Sequence, residues 1–332
     1  MRRLQLPSPD RWKIVSTAAL SEKDARRFLG LLGEDIDVVV LEPRTMAAAV
    51  IAVADADIVI GDFRFEIPLT RAVIEAMTRC RLIQQPSAEF DHIDLGEATA
   101  QGITVANVAG ANDMAVAEHT VAVAVALMRE LLLADREVRQ GHWPQDTRVH
   151  YELAGKTWGI VGLGRVGKQV AKRLAGWDVD TIYYDKFRPG ADVEEEFGVS
   201  YADLEDLLGH ADVVSLHLPY SEDTHHLIDA GLLNLMQPSS YLINVAHGAI
   251  VDERALIHAL HDGTIRGAAL DVFEHEPLPR KHPLSALDNV ILTPHVAGTA
   301  RKARVRLLKM TAANVQRVMR GEQPIDVVNG VQ

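Results

Sequence analysis

The sequence predicts two domains, each built on a parallel β-sheet that is covered by helices on both faces. The N-terminal part alternates short apolar runs with helical patterns, and a second series of the same kind begins at Thr157. Strands that are apolar almost throughout and alternate with helices are typical of parallel sheets buried on both faces. With 332 residues, the chain is long enough for two such domains.

Short apolar runs predict the strands of the N-terminal series. They lie at residues 13–16, 36–41, 56–61, 81–84 and 103–106. Between the first two runs, the pattern predicts a helix at residues 21–32, with Ser21 as its N-cap and Gly33 at its end.

Residues 112–140 form one long helical pattern, NDMAVAEHTVAVAVALMRELLLADREVRQ. Its Ala/Val middle is apolar nearly all round, which predicts that this part is buried. The length exceeds what one small domain usually needs. We therefore expect a single helix that lies both between domains and between subunits.

The second series predicts a larger sheet. Its strands are expected at residues 157–162, 180–184, 212–217, 240–245, 267–272 and 289–293. A further helix is expected from about residue 301 to residue 319. No internal sequence repeat relates the two series, although both alternate strands with helices.

The composition argues against several classes of partner. A formal net charge of −12 disfavours nucleic acid, because phosphate binding requires clustered Lys and Arg. Cys80 is the only cysteine, so an intrachain disulfide is impossible. The N-terminus lacks the apolar core of a signal peptide, and the longest apolar stretch, residues 120–128, is too short to span a bilayer. We expect a soluble, cytoplasmic protein with no membrane partner.

The stretch TWGIVGLGRVGKQVAKRLAGW places Gly162, Gly164 and Gly167 between a strand and a helix. The first glycine makes a tight turn, the second lets a pyrophosphate approach the backbone, and the third lets helix and strand pack closely. The helix N-terminus adds oriented N–H donors. The loop predicts a dinucleotide site, and the alternative is a glycine turn without a ligand.

Asp185 ends the next predicted strand. A carboxylate at this position accepts hydrogen bonds from ribose hydroxyls and repels a 2′-phosphate, which favours NAD over NADP as the cofactor. Lys186 and Arg188 follow closely, and their charges would weaken that preference.

Polar side chains follow the ends of several predicted strands, where ligands of a wound parallel sheet bind. Each has an ordinary structural alternative, such as a backbone contact, a loop cap or an exposed turn. His275 is expected to be such a turn residue. No H-x-x-x-H pair is present, so no metal site is expected. The candidates for a reaction site are His217, His247, Asp271, Glu276 and His295.

From about residue 85 to residue 329, the chain resembles the D-isomer-specific 2-hydroxyacid dehydrogenases, the group that contains phosphoglycerate and hydroxypyruvate/glyoxylate-type reductases. The motifs that carry the resemblance stand in the family's order. They are FDHIDLGEA, ANVAGANDMAVAEHTVAVAVALMR, GKTWGIVGLGRVG, SLHLPYSEDTHHLI, INVAHGAIVDERAL, GAALDVFEHEPLP, NVILTPHVAG and the terminal VVN.

The resemblance implies a flavodoxin-like substrate domain of residues 1–111 and 300–332 around a Rossmann NAD-binding domain of residues 112–299. It implies a homodimer in which the helix at 112–140 packs across subunits. It also implies an NAD-dependent oxidoreductase, whose small-molecule substrates are a 2-oxo acid and a D-2-hydroxy acid interconverted by hydride transfer.

Carried over residue by residue, His295 corresponds to the family's general acid/base and Glu276 to its partner. A histidine, with an ordinary pKa of about 6.5, suits proton donation near neutral pH. A carboxylate on its other ring nitrogen fixes the tautomer and favours imidazolium. The residues expected to contact the cofactor are Gly162, Leu163, Gly164, Arg165, Val166, Gly167, Asp185, His217, Pro219, Thr224, Val245, Ala246, Asp271, His295 and Gly298.

His247 departs from the family, whose N-x-x-R-G motif places arginine here to hold the substrate carboxylate. Guanidinium offers a permanent charge and a bidentate fork, whereas imidazole offers one donor and a pH-dependent charge. A second departure is Glu89, which brings negative charge into a loop that is glycine-rich in the family. His247 is still expected to act in catalysis as the substrate anchor, and Arg64, Ala88 and Glu89 are expected to bind substrate with it.

Three accounts of these departures remain open at the level of sequence. In the first, His247 binds substrate as imidazolium, helped by Arg64, so that affinity falls as pH rises. In the second, the pocket is rebuilt for a substrate other than a simple 2-oxo acid. In the third, the protein senses NAD without turnover, although the intact Glu276 and His295 argue against it.

Overall fold

The computed structural model describes residues 11–19, 23, 36–145 and 149–331. The chain divides into two compact units, Met1–Asn112 with Arg301–Gln332, and Asp113–Ala300. Each unit has its own parallel sheet, so the predicted fold class is confirmed. Except for residue 23, the helix predicted at residues 21–32 lies outside the described residues.

The first unit contains a five-stranded parallel sheet with the order β2-β1-β3-β4-β5. This is the flavodoxin-like order. The strands are β1 (Trp12–Ser16), β2 (Ile36–Val40), β3 (Ile58–Ile60), β4 (Leu82–Gln84) and β5 (Thr104–Ala106). The helices are Met46–Val53, Arg71–Glu75, Leu95–Ala100 and Arg301–Met319.

Both faces of this sheet are covered, because successive residues of a strand point to opposite faces. On one face, Ile14 and Ile58 pack with Val315 of the C-terminal helix. On the other, Val15 and Val59 join the helices that follow β2 and β3. Burial on both faces explains why these strands read as continuous apolar runs in the sequence.

The second unit contains a seven-stranded parallel sheet with the order β12-β11-β10-β9-β6-β7-β8. The strands are β6 (Thr157–Val161), β7 (Asp180–Tyr184), β8 (Ser200–Tyr201), β9 (Val213–Leu216), β10 (Tyr241–Asn244), β11 (Gly267–Leu270) and β12 (Val290–Leu292). The order reverses between β6 and β9, which is the Rossmann arrangement and the expected position for a ligand. The edge strand β8 is absent from the sequence prediction.

Helices connect these strands and cover the sheet. They are Asp113–Met128, Leu131–Arg139, Arg165–Leu174, Ala191–Phe197, Leu204–His210, Ala230–Leu233 and Glu253–His261, with 3₁₀ turns at Glu222–Thr224, Gly248–Ile250 and Pro283–Ala286. Within the described ranges, no helix is both long and apolar enough to cross a membrane.

The prediction of a single helix over residues 112–140 is wrong. Two helices, Asp113–Met128 and Leu131–Arg139, are separated at Glu130, whose φ of 46° is left-handed. The Met128 carbonyl accepts a hydrogen bond from the Tyr151 amide at 3.3 Å instead of continuing the helical ladder. The expected burial of the Ala/Val middle is confirmed for one face only, since Val121 and Ala124 are buried but Ala122 is exposed. The second helix has no buried residue.

Candidate functional site

The carboxyl ends of the strands in the second sheet lie along one edge, because every pair of neighbouring strands is parallel. The predicted site residues of this unit follow those ends. The glycine loop follows β6, Asp185 follows β7, His217 follows β9, and His247 and Asp271 follow β10 and β11. His295 follows β12. The sheet therefore gathers the candidates at one edge, as the sequence predicted.

The glycine loop has the geometry that a dinucleotide requires. Gly162 has a φ of +100°, and a Cβ there would lie 2.9 Å from the His217 carbonyl. A Cβ on Gly167 would lie 2.1 Å from the Gly162 oxygen, so helix and strand touch at this point. Gly164 has open space beside it and begins the helix Arg165–Leu174 without a side-chain cap. The backbone N–H groups at this helix N-terminus can therefore bind an anion.

Asp185 is fixed beside this loop. Its carboxylate accepts hydrogen bonds from the Leu163 amide at 2.8 Å and from the Phe187 amide at 2.9 Å. The neighbouring cations have acidic partners, since Lys186 pairs with Asp223 at 2.8 Å and Arg188 pairs with Glu194 at 2.9 Å. Their charges are therefore partly neutralised. The expected preference of Asp185 for NAD over NADP remains a prediction.

His217 carries an unsatisfied buried nitrogen. The Trp158 indole donates to Ser215 Oγ at 2.8 Å, and Ser215 Oγ lies 2.8 Å from His217 Nε2. Burial lowers the pKa of His217 to about 3, so the ring is neutral. If the hydroxyl of Ser215 donates to Nε2, the proton of the imidazole is on Nδ1, which is buried and has no partner among the described residues. A buried donor of this kind requires an acceptor.

The residues present fit a nicotinamide dinucleotide. Open space at Gly164, an uncapped helix N-terminus and an orphaned nitrogen on His217 occur together at the point where the strand order reverses. The carboxylate of Asp185 lies beside them. Among the described residues, the helix N-terminus has no side-chain cap and His217 Nδ1 has no hydrogen-bond partner, and a bound dinucleotide would supply both.

Glu276 and His295 form the pair that the sequence predicted. His295 donates from Nδ1 to Glu276 Oε2 at 2.9 Å, and Glu276 Oε1 accepts the Phe273 amide at 3.1 Å. Burial alone would raise the pKa of Glu276. The hydrogen bond and charge of His295, together with the Phe273 amide, outweigh it and lower that pKa below its ordinary value. The carboxylate is therefore ionised near neutral pH and stabilises a proton on His295.

Asp271 holds the loop that carries His295. Its buried carboxylate accepts the Thr293 hydroxyl at 2.5 Å and the Val296 and Ala297 amides at 2.9 and 2.8 Å. Because Thr293 gives its proton to Asp271, its oxygen accepts from His119 Nε2 at 3.3 Å. These contacts support His295, whose φ of 52° is left-handed. The predicted contact between Asp271 and the cofactor remains a prediction.

Thr293 and His119, which contact each other beside Asp271, were not predicted from the sequence as part of this site. His119 is the one histidine inside an otherwise Ala/Val-rich helical stretch, and this was the available signal. Thr293 gave none, because its role depends on a contact with Asp271 that only the folded chain makes.

His247 lies in a closely fixed loop after β10. The Asn244 side chain donates to the His247 carbonyl at 3.0 Å and accepts the Ala246 amide at 3.1 Å. A Cβ on Gly248 would lie 2.0 Å from the Phe273 carbonyl, so only glycine fits there. The loop after β10 is therefore held against the segment that leads to Glu276.

The remaining cofactor candidates also follow strand ends. The Thr224 hydroxyl accepts a hydrogen bond from the Ser221 amide at 2.8 Å and donates one to the Pro219 carbonyl at 2.9 Å. These bonds shape the turn after β9. Arg165 is exposed at the start of its helix, and Val245 is buried. Their predicted contacts with the cofactor, and those of Leu163, Val166, Ala246 and Gly298, remain predictions.

Three predicted substrate residues lie in the first unit, after β3 and β4. Arg64 is exposed, and its amide donates to Asp62 at 3.1 Å. The Ala88 carbonyl accepts the Asn107 side chain at 2.7 Å, and the Glu89 carbonyl accepts the Ser87 hydroxyl at 2.8 Å. These bonds order the two loops without assigning a ligand to them.

Comparisons with known proteins agree with this geometry. The sequence model of one family, described as D-isomer specific 2-hydroxyacid dehydrogenase, NAD binding domain, matches residues 121–297. That stretch contains the glycine loop, His247, Glu276 and His295.

Related sequences and structures extend the similarity to most of the chain. A glyoxylate reductase of Thermofilum pendens is 44% identical over 262 residues, 77% of each chain. A D-3-phosphoglycerate dehydrogenase of Methanocaldococcus jannaschii is 37% identical over 318 residues, which are 96% of this chain and 59% of that protein. The holo structure of Rhodotorula graminis D-mandelate dehydrogenase superposes with a TM-score of 0.88 at 26% identity, covering 98% and 99% of the two chains.

Proposed function

The chain belongs to the D-isomer-specific 2-hydroxyacid dehydrogenase family, and from that membership we propose that it reduces glyoxylate or a similarly small 2-oxo acid. It is an NAD-dependent oxidoreductase that interconverts 2-oxo and 2-hydroxy acids. The observation that carries the proposal is the Glu276–His295 hydrogen bond of 2.9 Å at the same sheet edge as the glycine loop. A sensor without turnover and a rebuilt pocket are not favoured, because the relatives are reductases and dehydrogenases of such acids.

In this proposal, His295 is the general acid of the reduction. Its Nδ1 proton stays on the side of Glu276, so Nε2 delivers the second proton to the carbonyl oxygen. The nicotinamide, when bound, supplies the hydride to the carbonyl carbon. The ionised Glu276 keeps the imidazole in one orientation and stabilises its charged form before proton transfer. In the reverse reaction the neutral ring accepts the hydroxyl proton.

The cofactor is NAD, and its contacts are proposed from the loop geometry. Gly162, Gly164 and Gly167, with the N-terminus of Arg165–Leu174, would hold the pyrophosphate. Asp185 would bind the ribose hydroxyls, and the orphaned nitrogen of His217 would donate to the dinucleotide. Residues 113–300 would thus form the NAD-binding domain, and the remainder would form the substrate domain.

Substitution of Asp185 by asparagine is expected to weaken the discrimination against NADPH by about tenfold, which corresponds to about 1.4 kcal/mol. The change removes the charge that repels a 2′-phosphate and keeps a similar shape. The ratio of kcat/KM for NADH and NADPH measures the effect. Asp206→Asn removes one negative charge from an exposed position elsewhere in the unit and is expected to leave that ratio unchanged. Equal ratios in both variants would contradict a role for Asp185 in cofactor choice.

Substrate binding is proposed for His247, Arg64, Ala88 and Glu89 on the basis of the family resemblance. His247 would hold the substrate carboxylate where the family has arginine. The loops that carry Arg64 and Glu89 are joined by Gln85, whose side-chain Nε2 donates to the Asp62 carbonyl at 3.3 Å and to the Ser87 hydroxyl at 2.6 Å.

The proposed function is tested by following the absorbance of NADH with a panel of glyoxylate, hydroxypyruvate, pyruvate and phenylpyruvate. We expect NADH consumption with at least one of these acids, and faster consumption with NADH than with NADPH. Absence of consumption with every acid, when NADH binding is demonstrated by fluorescence, would contradict the proposal.

A homodimer is proposed from the surface of the second unit. The helix Leu131–Arg139 has no buried residue, and three of its large apolar side chains are exposed to solvent. They are Leu131, Leu132 and Val138, with exposed fractions of 60%, 59% and 50%. A cluster of exposed apolar side chains is typical of a protein–protein interface. We expect Leu131→Glu combined with Leu132→Glu to convert a dimer to a monomer in analytical ultracentrifugation. Ile51→Glu, at an exposed apolar residue of the first unit, is the matched control, and a monomeric wild type would contradict the proposal.

A further inference from the structure

The ring of His247 is held by two contacts that the sequence did not predict. Its Nδ1 accepts the amide of Ala249 at 3.3 Å, which places His247 at the N-cap of the turn Gly248–Ile250. One face of the ring stacks on Tyr220, with centroids 4.5 Å apart and an interplanar angle of 22°. Tyr220 comes from the segment after β9, so two strand ends meet at this imidazole.

The backbone beneath the ring is fixed as well. The carbonyl of Ala249 accepts the His226 amide at 2.8 Å, and the carbonyl of Ile250 accepts the Ile228 amide at 3.0 Å. Gly248 packs directly against the Phe273 carbonyl. The amide of Ala249 is therefore unable to turn away from Nδ1 without breaking these bonds.

This geometry determines the tautomer of the neutral ring. A ring nitrogen that accepts an N–H carries no proton, so the proton of His247 is on Nε2. Protonation of Nδ1 would place two hydrogens face to face. The hydrogen bond with Ala249 therefore favours the neutral ring over imidazolium.

Among the described residues, charged and titratable groups near His247 lie on the segments that follow β9, β11 and β12. Glu276, after β11, has a charge that favours imidazolium, but its oxygens already accept from His295 and Phe273. Tyr220 lies on the stacked face, and His225 contacts Tyr220 edge-on, with its Nδ1 3.5 Å from the Tyr220 hydroxyl. His226 pairs with Glu274 at 2.9 Å. The amide of Ala249 contacts Nδ1 directly at 3.3 Å and opposes protonation of that nitrogen.

We propose that Tyr220 is a positioning residue which, with the amide of Ala249, holds His247 as a neutral Nε2 donor to the substrate carboxylate. The proposal rests on the proposed function. In the account predicted from the sequence, His247 binds substrate as imidazolium. Here it binds as the neutral ring, so that substrate affinity does not depend on the titration of His247. The proposal also gives Tyr220 a role in substrate recognition.

Variants of Tyr220 test the positioning role. Tyr220→Phe keeps the stacked ring and is expected to leave KM for the 2-oxo acid within about twofold of wild type. Tyr220→Leu removes the ring and is expected to raise KM about fivefold, with kcat and NADH affinity unchanged, since a stacked aromatic pair is worth about 2- to 10-fold in an equilibrium constant. Equal KM values in the two variants would overturn the role.

The tautomer is read directly by ¹⁵N nuclear magnetic resonance of the imidazole, with His247→Gln used to assign the signal. We expect a protonated Nε2 and an unprotonated Nδ1 from about pH 6 to pH 8, together with a KM that does not follow titration of His247. An imidazolium signal in this range, or KM rising as that signal disappears, would overturn the proposal. The resonance experiment needs no turnover, so failure of the proposed function is distinguishable from failure of this inference.

Discussion

Substitution of His295 by alanine is expected to lower kcat by about 10²- to 10⁴-fold, the range that one general acid contributes, while leaving the affinity for NADH intact. The substituted side chain is the proton donor in the proposed reaction. The His295 ring is hydrogen-bonded to the ionised Glu276 at 2.9 Å. A water molecule that replaces the ring would have neither its fixed orientation nor its positive charge. The measurement is single-turnover NADH oxidation, with NADH affinity from fluorescence titration.

The matched control for this substitution is His275→Ala. His275 is exposed and immediately precedes Glu276, so its loss perturbs the same segment without removing the acid. We expect its kcat to stay close to that of wild type. Glu276→Gln is expected to give an intermediate loss, because the amide keeps a hydrogen bond to the ring and loses the charge that favours its protonation. Survival of turnover in His295→Ala would refute the assignment of the acid.

Substitution of His247 by arginine is expected to raise kcat/KM for small 2-oxo acids by roughly 10- to 100-fold. A charged hydrogen bond contributes about 1.5–3 kcal/mol, more than a neutral imidazole donor provides. The backbone of His247 is extended, with φ of −152° and ψ of 140°, which any residue adopts. A guanidinium also stacks on an aromatic face, so Tyr220 remains a suitable neighbour.

The control for this gain is His225→Arg. His225 is exposed and contacts Tyr220 edge-on, so the variant adds a similar charge at a neighbouring position without restoring the anchor. We expect the gain only in His247→Arg, and mainly as a lower KM. A similar gain in both variants would attribute the effect to general electrostatic attraction. No gain in either would mean that residues other than His247 limit the reaction of ordinary 2-oxo acids.

The parts of the fold that the sequence predicts are those determined locally or by burial on both faces. Val15 and Ile14 point to opposite covered faces, so the strand reads as apolar without interruption. The glycine loop is predictable because positive φ at Gly162 and the contact at Gly167 exclude other residues. By contrast, β8 has two residues, neither fully buried, and leaves no apolar run.

The features that the sequence analysis missed depend on partners far along the chain. The helix ends near Met128, where the Tyr151 amide donates a hydrogen bond to the Met128 carbonyl. No sequence pattern within the helix indicates this contact. The same is true of Thr293 at the carboxylate of Asp271 and of Tyr220 on the ring of His247. The positions of the strand ends in the sequence predicted where titratable residues would gather. Which of these residues interact depends on tertiary contacts.

Hydride transfer to a 2-oxo acid is the central claim, and isotope transfer tests it most directly. NADH deuterated at the transferable position of the nicotinamide is incubated with the enzyme and the most active of hydroxypyruvate, pyruvate and phenylpyruvate, because glycolate formed from glyoxylate has no stereocentre. The product is analysed by mass spectrometry and chiral chromatography. The account predicts a D-2-hydroxy acid that carries deuterium on its C2 carbon, with one label for each NADH consumed. Cofactor binding without labelled hydroxy acid, or label in the L-isomer, would contradict it.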